Sequence, residues 1–96
     1  MPQGQPEGAT LVYRRREDVI VTDLNEEVVL LDPVSVEMYS LAEVGRTVWQ
    51  ALPGTPEQVA EQVTASYDVE WNLALQDIRS LLGDLKAAGL VEAHAL

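Results

Sequence analysis

The chain has 96 residues, 47% of them apolar, with sixteen acidic against six basic side chains and a net charge of −10. That is enough for one domain with a single core, and an average surface this acidic repels phosphate and disfavours nucleic acid as a partner. No run approaches the roughly 18 apolar residues of a membrane span, and the absence of cysteine excludes disulfides, thiolate nucleophiles and cysteine-ligated zinc.

Residues 1–10 hold Pro2, Gly4, Pro6 and Gly8 among polar neighbours and are expected to form a flexible arm without a secretory-signal layout. The folded domain is expected over 11–92. Leu11–Tyr13 starts a strand that leads into Arg14, Arg15 and Arg16, which could be a partner site or a solvated edge. Val19–Leu24 and Val28–Leu31 are predicted strands, joined by Asn25-Glu26-Glu27 as a hairpin turn. Asp32-Pro33-Val34-Ser35 is a second turn. A third strand is expected over Val36–Leu41, where Val36, Met38 and Ser40 alternate with Glu37, Tyr39 and Leu41. This strand lies at a sheet edge, with its free backbone as the working surface.

The period then changes to that of a helix, about Ala42–Leu52, ending at Pro53-Gly54. A second helix is signalled by Thr55 as N-cap and Pro56 in the first turn. After the Tyr67–Glu70 connector, a third helix is expected over about Trp71–Ala88, capped by Gly89. It carries one apolar stripe through Ala74, Ile78, Leu81, Leu85 and Ala88. A neighbouring stripe runs through Trp71, Leu75 and Leu82, with Arg79 and Lys86 on its margin. The second stripe either packs under the first two helices or walls a groove beside the third strand. Leu90-Val91 closes the domain, and residues 93–96 are expected to fray. The fold class is α+β: a three-stranded antiparallel sheet followed by three helices.

The segments LLDPVSVEMYSLAEVGRTVW (30–49), PEQVAEQVTASYDVE (56–70) and DIRSLLGDLKAAGLV (77–91) together resemble the PqqD-like family. Its members are recognition elements for the precursors of ribosomally made, post-translationally modified peptides. The matching positions include Leu31, Asp32, Tyr39, Leu41, Trp49, Tyr67, Asp68, Val69, Asp77, Ile78, Gly89 and Leu90. Ala42 stands where the family often has Asn, and Val36 stands near a frequent turn Gly.

The resemblance implies a winged-helix-like domain that takes a leader peptide as an added strand along the third strand, against the third helix. Carried to this chain, the site comprises Val36, Glu37, Met38, Tyr39 and Ser40 on the strand, and Leu75, Ile78, Arg79, Leu82 and Lys86 on the helix. The stand-alone type of lasso-peptide biosynthesis is the subtype it looks most like. That type works beside a leader peptidase and a cyclase and needs no cofactor or metal. A cytoplasmic location is expected, and a dimer through the edge is conceivable but not predicted.

A winged-helix nucleic-acid binder is the alternative, but the second helix has no Arg or Lys and the third only Arg79 and Lys86. An enzyme finds no support either. The one histidine, His94, lies in the segment expected to fray, and no calcium loop or phosphate cradle appears.

Overall fold

Two reversals of the chain build the main sheet. At the first, Asn25 adopts a left-handed φ of 76°, and the Asp23 carboxylate accepts its amide at 2.8 Å. At the second, the Asp32 carboxylate accepts the Val34 amide at 2.9 Å, while the Asp32 carbonyl accepts the Val36 amide at 2.7 Å. In this computed structural model, which describes residues 10–95, the strands are β1 (Leu11–Arg15), β2 (Ile20–Asp23), β3 (Glu27–Leu31) and β4 (Met38–Ala42). The helices α1 (Val44–Ala51), α2 (Pro56–Ser66) and α3 (Trp71–Ala87) follow, and then β5 (Val91–Ala95). The arm predicted over 1–10 falls, apart from Thr10, outside the described residues, as does Leu96.

The expected three-stranded antiparallel sheet is present in the order β2-β3-β4, with Leu30 opposite both Val21 and Tyr39. Val28 and Leu30 are buried beneath the helices, and Tyr39 and Leu41 pack onto the same core. Met38, Ser40 and Ala42 alternate outward and are exposed.

The helix boundaries follow local chemistry. The Thr55 hydroxyl accepts the Gln58 amide at 3.1 Å, while the Gln58 side chain accepts the Thr55 amide at 2.9 Å, a reciprocal cap for α2. The Glu70 carboxylate accepts the Asn72 and Leu73 amides and starts α3. Gly89, at φ 80°, ends it: its amide reaches the Lys86 carbonyl and that of Leu90 reaches Leu85, a pairing that needs the left-handed residue. α1 begins at Val44 rather than Ala42, because β4 continues through Ala42 and Glu43 turns the corner at φ 54°. Among the described residues, no helix is long and apolar enough to cross a membrane.

The expected fraying of 93–96 is corrected over Ala93–Ala95. β5 pairs antiparallel with β1, Leu11 opposite Ala95 and Arg15 opposite Val91, as a second, two-stranded sheet. Leu90 and Val91 are buried and anchor it. On its other side β1 exchanges 2.9 Å bonds with Gly54 at Tyr13. The arginine triplet is largely structural. Arg15 donates to the Leu52 carbonyl at 2.7 Å and lies 5.8 Å from the centre of the buried Trp49 ring. Arg16 donates to the Gly89 carbonyl at 2.8 Å, where α3 ends, and pairs with Asp18.

Candidate functional site

Among the described residues, β4 is bonded to β3 on one side only, so its other side is a row of backbone groups at the sheet margin. The alternation of an antiparallel ladder decides which groups these are. The Asp32 amide donates to the Glu37 carbonyl at 3.0 Å, which makes that pair a bonded one. Two residues on in the same register, Leu30–Tyr39 and Val28–Leu41 are then also bonded pairs. Tyr39 and Leu41 therefore aim their amides and carbonyls at β3, and Met38, Ser40 and Ala42 aim theirs outward.

This geometry revises the strand half of the predicted site. Val36 lies in the hairpin at φ 62°, its amide already held by Asp32, and the Glu37 carbonyl is occupied by the Asp32 amide. Neither belongs to the free row. Tyr39 lies within the strand, but its backbone serves β3. Its half-buried phenol donates to the Glu37 carboxylate at 3.2 Å, and burial followed by the nearby Glu37 charge raises its pKa above the ordinary tyrosine value. Met38 and Ser40 aim their backbone groups off the sheet, and Ala42 joins them. Ala42 was missed because the change of period in the sequence was assigned to the helix.

The helix half changes more. Ile78 and Leu82 are 1% and 0% exposed, so both belong to the core rather than to a wall a guest could touch. Leu75 is half-buried and packs against that core. Arg79, four residues on, is turned to α2, where it donates to the Glu57 carboxylate at 2.9 Å. Lys86 is exposed in the last turn of α3, on the Arg79 margin.

The opposite margin of α3 borders α1 and α2. There Leu73, 54% exposed, and Asp77 border a recess of about 160 Å³ with Val44, Val63, Val69 and Ala74. Val44 is the second residue after β4, so one wall of the recess follows directly from that strand. Asp77, one of the positions that match the family, is exposed at this rim. Leu73 carried a signal in the sequence, an apolar residue four before Asp77 on one face, but the larger stripes masked it.

Beyond Ala42 lies a wider polar recess of about 770 Å³, bordered by Leu24, Asn25, Glu26, Glu27, Glu43, Arg46 and Tyr67. Its arginine is engaged: Arg46 meets the Asp23 carboxylate with Nη2 at 3.0 and 2.9 Å. The Asn25 amide first, and Arg46 second, hold the Asp23 carboxyl below the ordinary carboxylate range.

Reactive constellations are sparse in this framework. Among the described residues, no three His, Cys, Asp or Glu side chains converge as metal ligands. His94 is on β5 rather than in a frayed end, with its Nε2 3.3 Å from the Glu92 carboxylate. Nor do the described residues form a basic stripe: Arg15, Arg16, Arg46 and Arg79 all have partners within the chain. This charge layout disfavours a nucleic-acid-binding winged helix.

Comparison with known proteins agrees with this architecture. None of the curated proteins matches the chain. A structure of TbiB1 in complex with the TbiA(beta) leader peptide superposes with a TM-score of 0.77 at 27% identity, covering 82% of this chain and 94% of that one. A structure of a lasso peptide synthetase B1 complexed with its leader peptide gives a TM-score of 0.74 at 32% identity, covering 83% of this chain and 96% of that one. The model of the family described as coenzyme PQQ synthesis protein D matches residues 27–91, from the first residue of β3 to the first of β5. With β3, β4, the three helices and their connectors inside that match, the chain belongs to the PqqD family.

Proposed function

We propose that this chain recognises the leader of a ribosomally synthesised precursor, of the lasso-peptide class, by accepting it as a fourth strand on β4. The observation that carries the reading is the outward row of Met38, Ser40 and Ala42, followed two residues on by Val44 at the apolar recess of Leu73 and Asp77. Guest residues opposite Met38, Ser40 and Ala42 exchange backbone bonds with them. Those opposite Tyr39 and Leu41 turn their side chains to the helix side, where the apolar recess lies. The two similar structures, both leader complexes, support leader recognition. The chain acts without chemistry of its own and presents the leader to a leader peptidase, with a cyclase acting downstream, in the cytoplasm.

Magnitudes show why the recess is needed. Three or four strand hydrogen bonds at about 0.5–1.5 kcal/mol each supply about 2–6 kcal/mol. Ordering the leader costs about 2–5 kcal/mol. A micromolar complex requires about 8 kcal/mol net, so backbone pairing needs apolar anchors, worth about 1.5–3 kcal/mol each when fully buried.

Amide hydrogen exchange tests the reading directly. On addition of the leader of its own precursor, the Met38, Ser40 and Ala42 amides should gain protection of about tenfold or more. Those of Tyr39 and Leu41, already bonded to β3, should change little. Saturating leader that leaves the three outward amides unprotected would remove β4 as the binding strand.

A further inference from the structure

Three separate parts of the chain meet around Gly89. Arg16, the residue after β1, donates from Nη1 to the Gly89 carbonyl at 2.8 Å and from Nη2 to the Asp18 carboxylate at 3.0 Å. Its amide reaches the Leu90 carbonyl at 3.1 Å, so its backbone and side chain grip the same corner, where α3 turns into β5. The third part is the β3–β4 hairpin. A Cβ placed on Gly89 would lie 3.5 Å from Arg16 Nη1 and 3.9 Å from Asp32 Oδ2, so the guanidinium and the carboxylate flank one glycine.

Asp32 is the residue from which the binding strand hangs. Its carboxylate accepts the Val34 amide, its carbonyl accepts the Val36 amide, and its own amide donates to the Glu37 carbonyl, all before β4 starts at Met38. Asp32 is only 7% exposed. A carboxylate so shielded stays charged only beside donors or a cation, and Arg16 is the cation whose charge bears on it. Lysine would supply the charge but not two bonds from a planar fork. We infer that Arg16 is a positioning residue for leader recognition: through Asp32 it fastens the hairpin to the end of α3, and so sets the position of the outward row of Met38, Ser40 and Ala42. The effect on affinity rests on the leader reading; the fastening of the hairpin does not.

The test uses the full chain carrying Arg16→Gln and, as a control for stability alone, Arg15→Gln, which loses the bond to the Leu52 carbonyl instead. In Arg16→Gln the Val34 and Val36 amides should exchange about tenfold faster or more, and affinity for the leader of the chain's own precursor should fall about fivefold or more. Arg15→Gln should lower the melting temperature yet leave those amides and leader affinity within about twofold. In an Asp32→Asn background, Arg16→Gln should cost less than about twofold in leader affinity, because the group it acts through is gone. Should Arg16→Gln fail to fold, Arg16→Lys is read in its place, with the same two amides exchanging about threefold faster. Unchanged hairpin exchange in the folded Arg16 variant would overturn the inference. So would equal losses of leader affinity in the Arg15 and Arg16 variants, or full additivity with Asp32→Asn. If the wild-type chain fails to bind leader at all, the proposed function falls, while the Val34 and Val36 amides still report whether Arg16 holds the hairpin.

Discussion

Val36 is the residue most at odds with its own conformation. A β-branched side chain at φ 62° is held there by the 2.7 Å bond from its amide to the Asp32 carbonyl. Non-glycine residues in that region carry about 1–3 kcal/mol of strain, whereas a glycine loosens the unfolded chain by about 0.4–1 kcal/mol. Val36→Gly should therefore stabilise the domain by about 1 kcal/mol, raising Tm by about 4–8 °C in a chain of this size. A melting temperature at or below wild type would show that the turn stores no strain. The same residue explains one failure of sequence reasoning. Alternation through Val36, Met38 and Ser40 extends a strand backwards on paper, and valine favours strands. The bonding of Asp32 overrides both and starts β4 at Met38.

At the scale of elements, β4 and α3 offer contrasting pairs of substitutions. Proline removes an amide, which a strand tolerates only where that amide points off the sheet. Ser40→Pro should thus leave the melting transition cooperative while leader affinity falls about tenfold or more. Tyr39→Pro breaks a ladder bond to Leu30 and should unfold the sheet. If both variants bind leader alike, the assignment of outward groups is wrong. On α3, Leu73→Asp at the rim should weaken leader binding about tenfold or more with native circular dichroism, and calorimetric titration would measure it. Leu82→Asp buries a carboxylate in the core and should abolish folding.

These helix margins mark where sequence legibility ended. Caps such as Thr55-Gln58 and Gly89 are local and were readable from a few letters. Which flank of α3 borders the Val44 recess depends on how α2 packs against it in the core, and periodicity carries no such information. β5 escaped for a related reason. Its partner β1 is at the far end of the chain, and Val91–Ala95 has little local strand signal without it.

Across the whole molecule, both hairpin turns depend on ionised aspartates. The Val34 amide chiefly, with Ser35 and Arg16 assisting, holds the Asp32 carboxyl below its ordinary value, as Asn25 and Arg46 do for Asp23. A carboxyl depressed in the folded state adds stability that is complete above its unfolded pKa and disappears as pH falls through the folded one. Stability should therefore hold from neutrality to about pH 4 and drop below it, the reference value being 3.8. In Asp32→Asn the acid loss should be shallower, and thermal melts at about pH 3 and pH 7 would show it. Parallel losses in the two proteins would mean that Asp32 is no part of the acid response.

The β1–β5 pairing also has an engineering corollary. Leu11 and Ala95 stand opposite one another, so anything tethered before or after the domain departs from nearly one point. A peptide a few residues long could bridge that gap, and the polypeptide could then be cut open at the exposed Asn25-Glu26 bend without redrawing the architecture. The same adjacency lets the module be spliced into a surface loop of a larger enzyme, entering and leaving at a single spot.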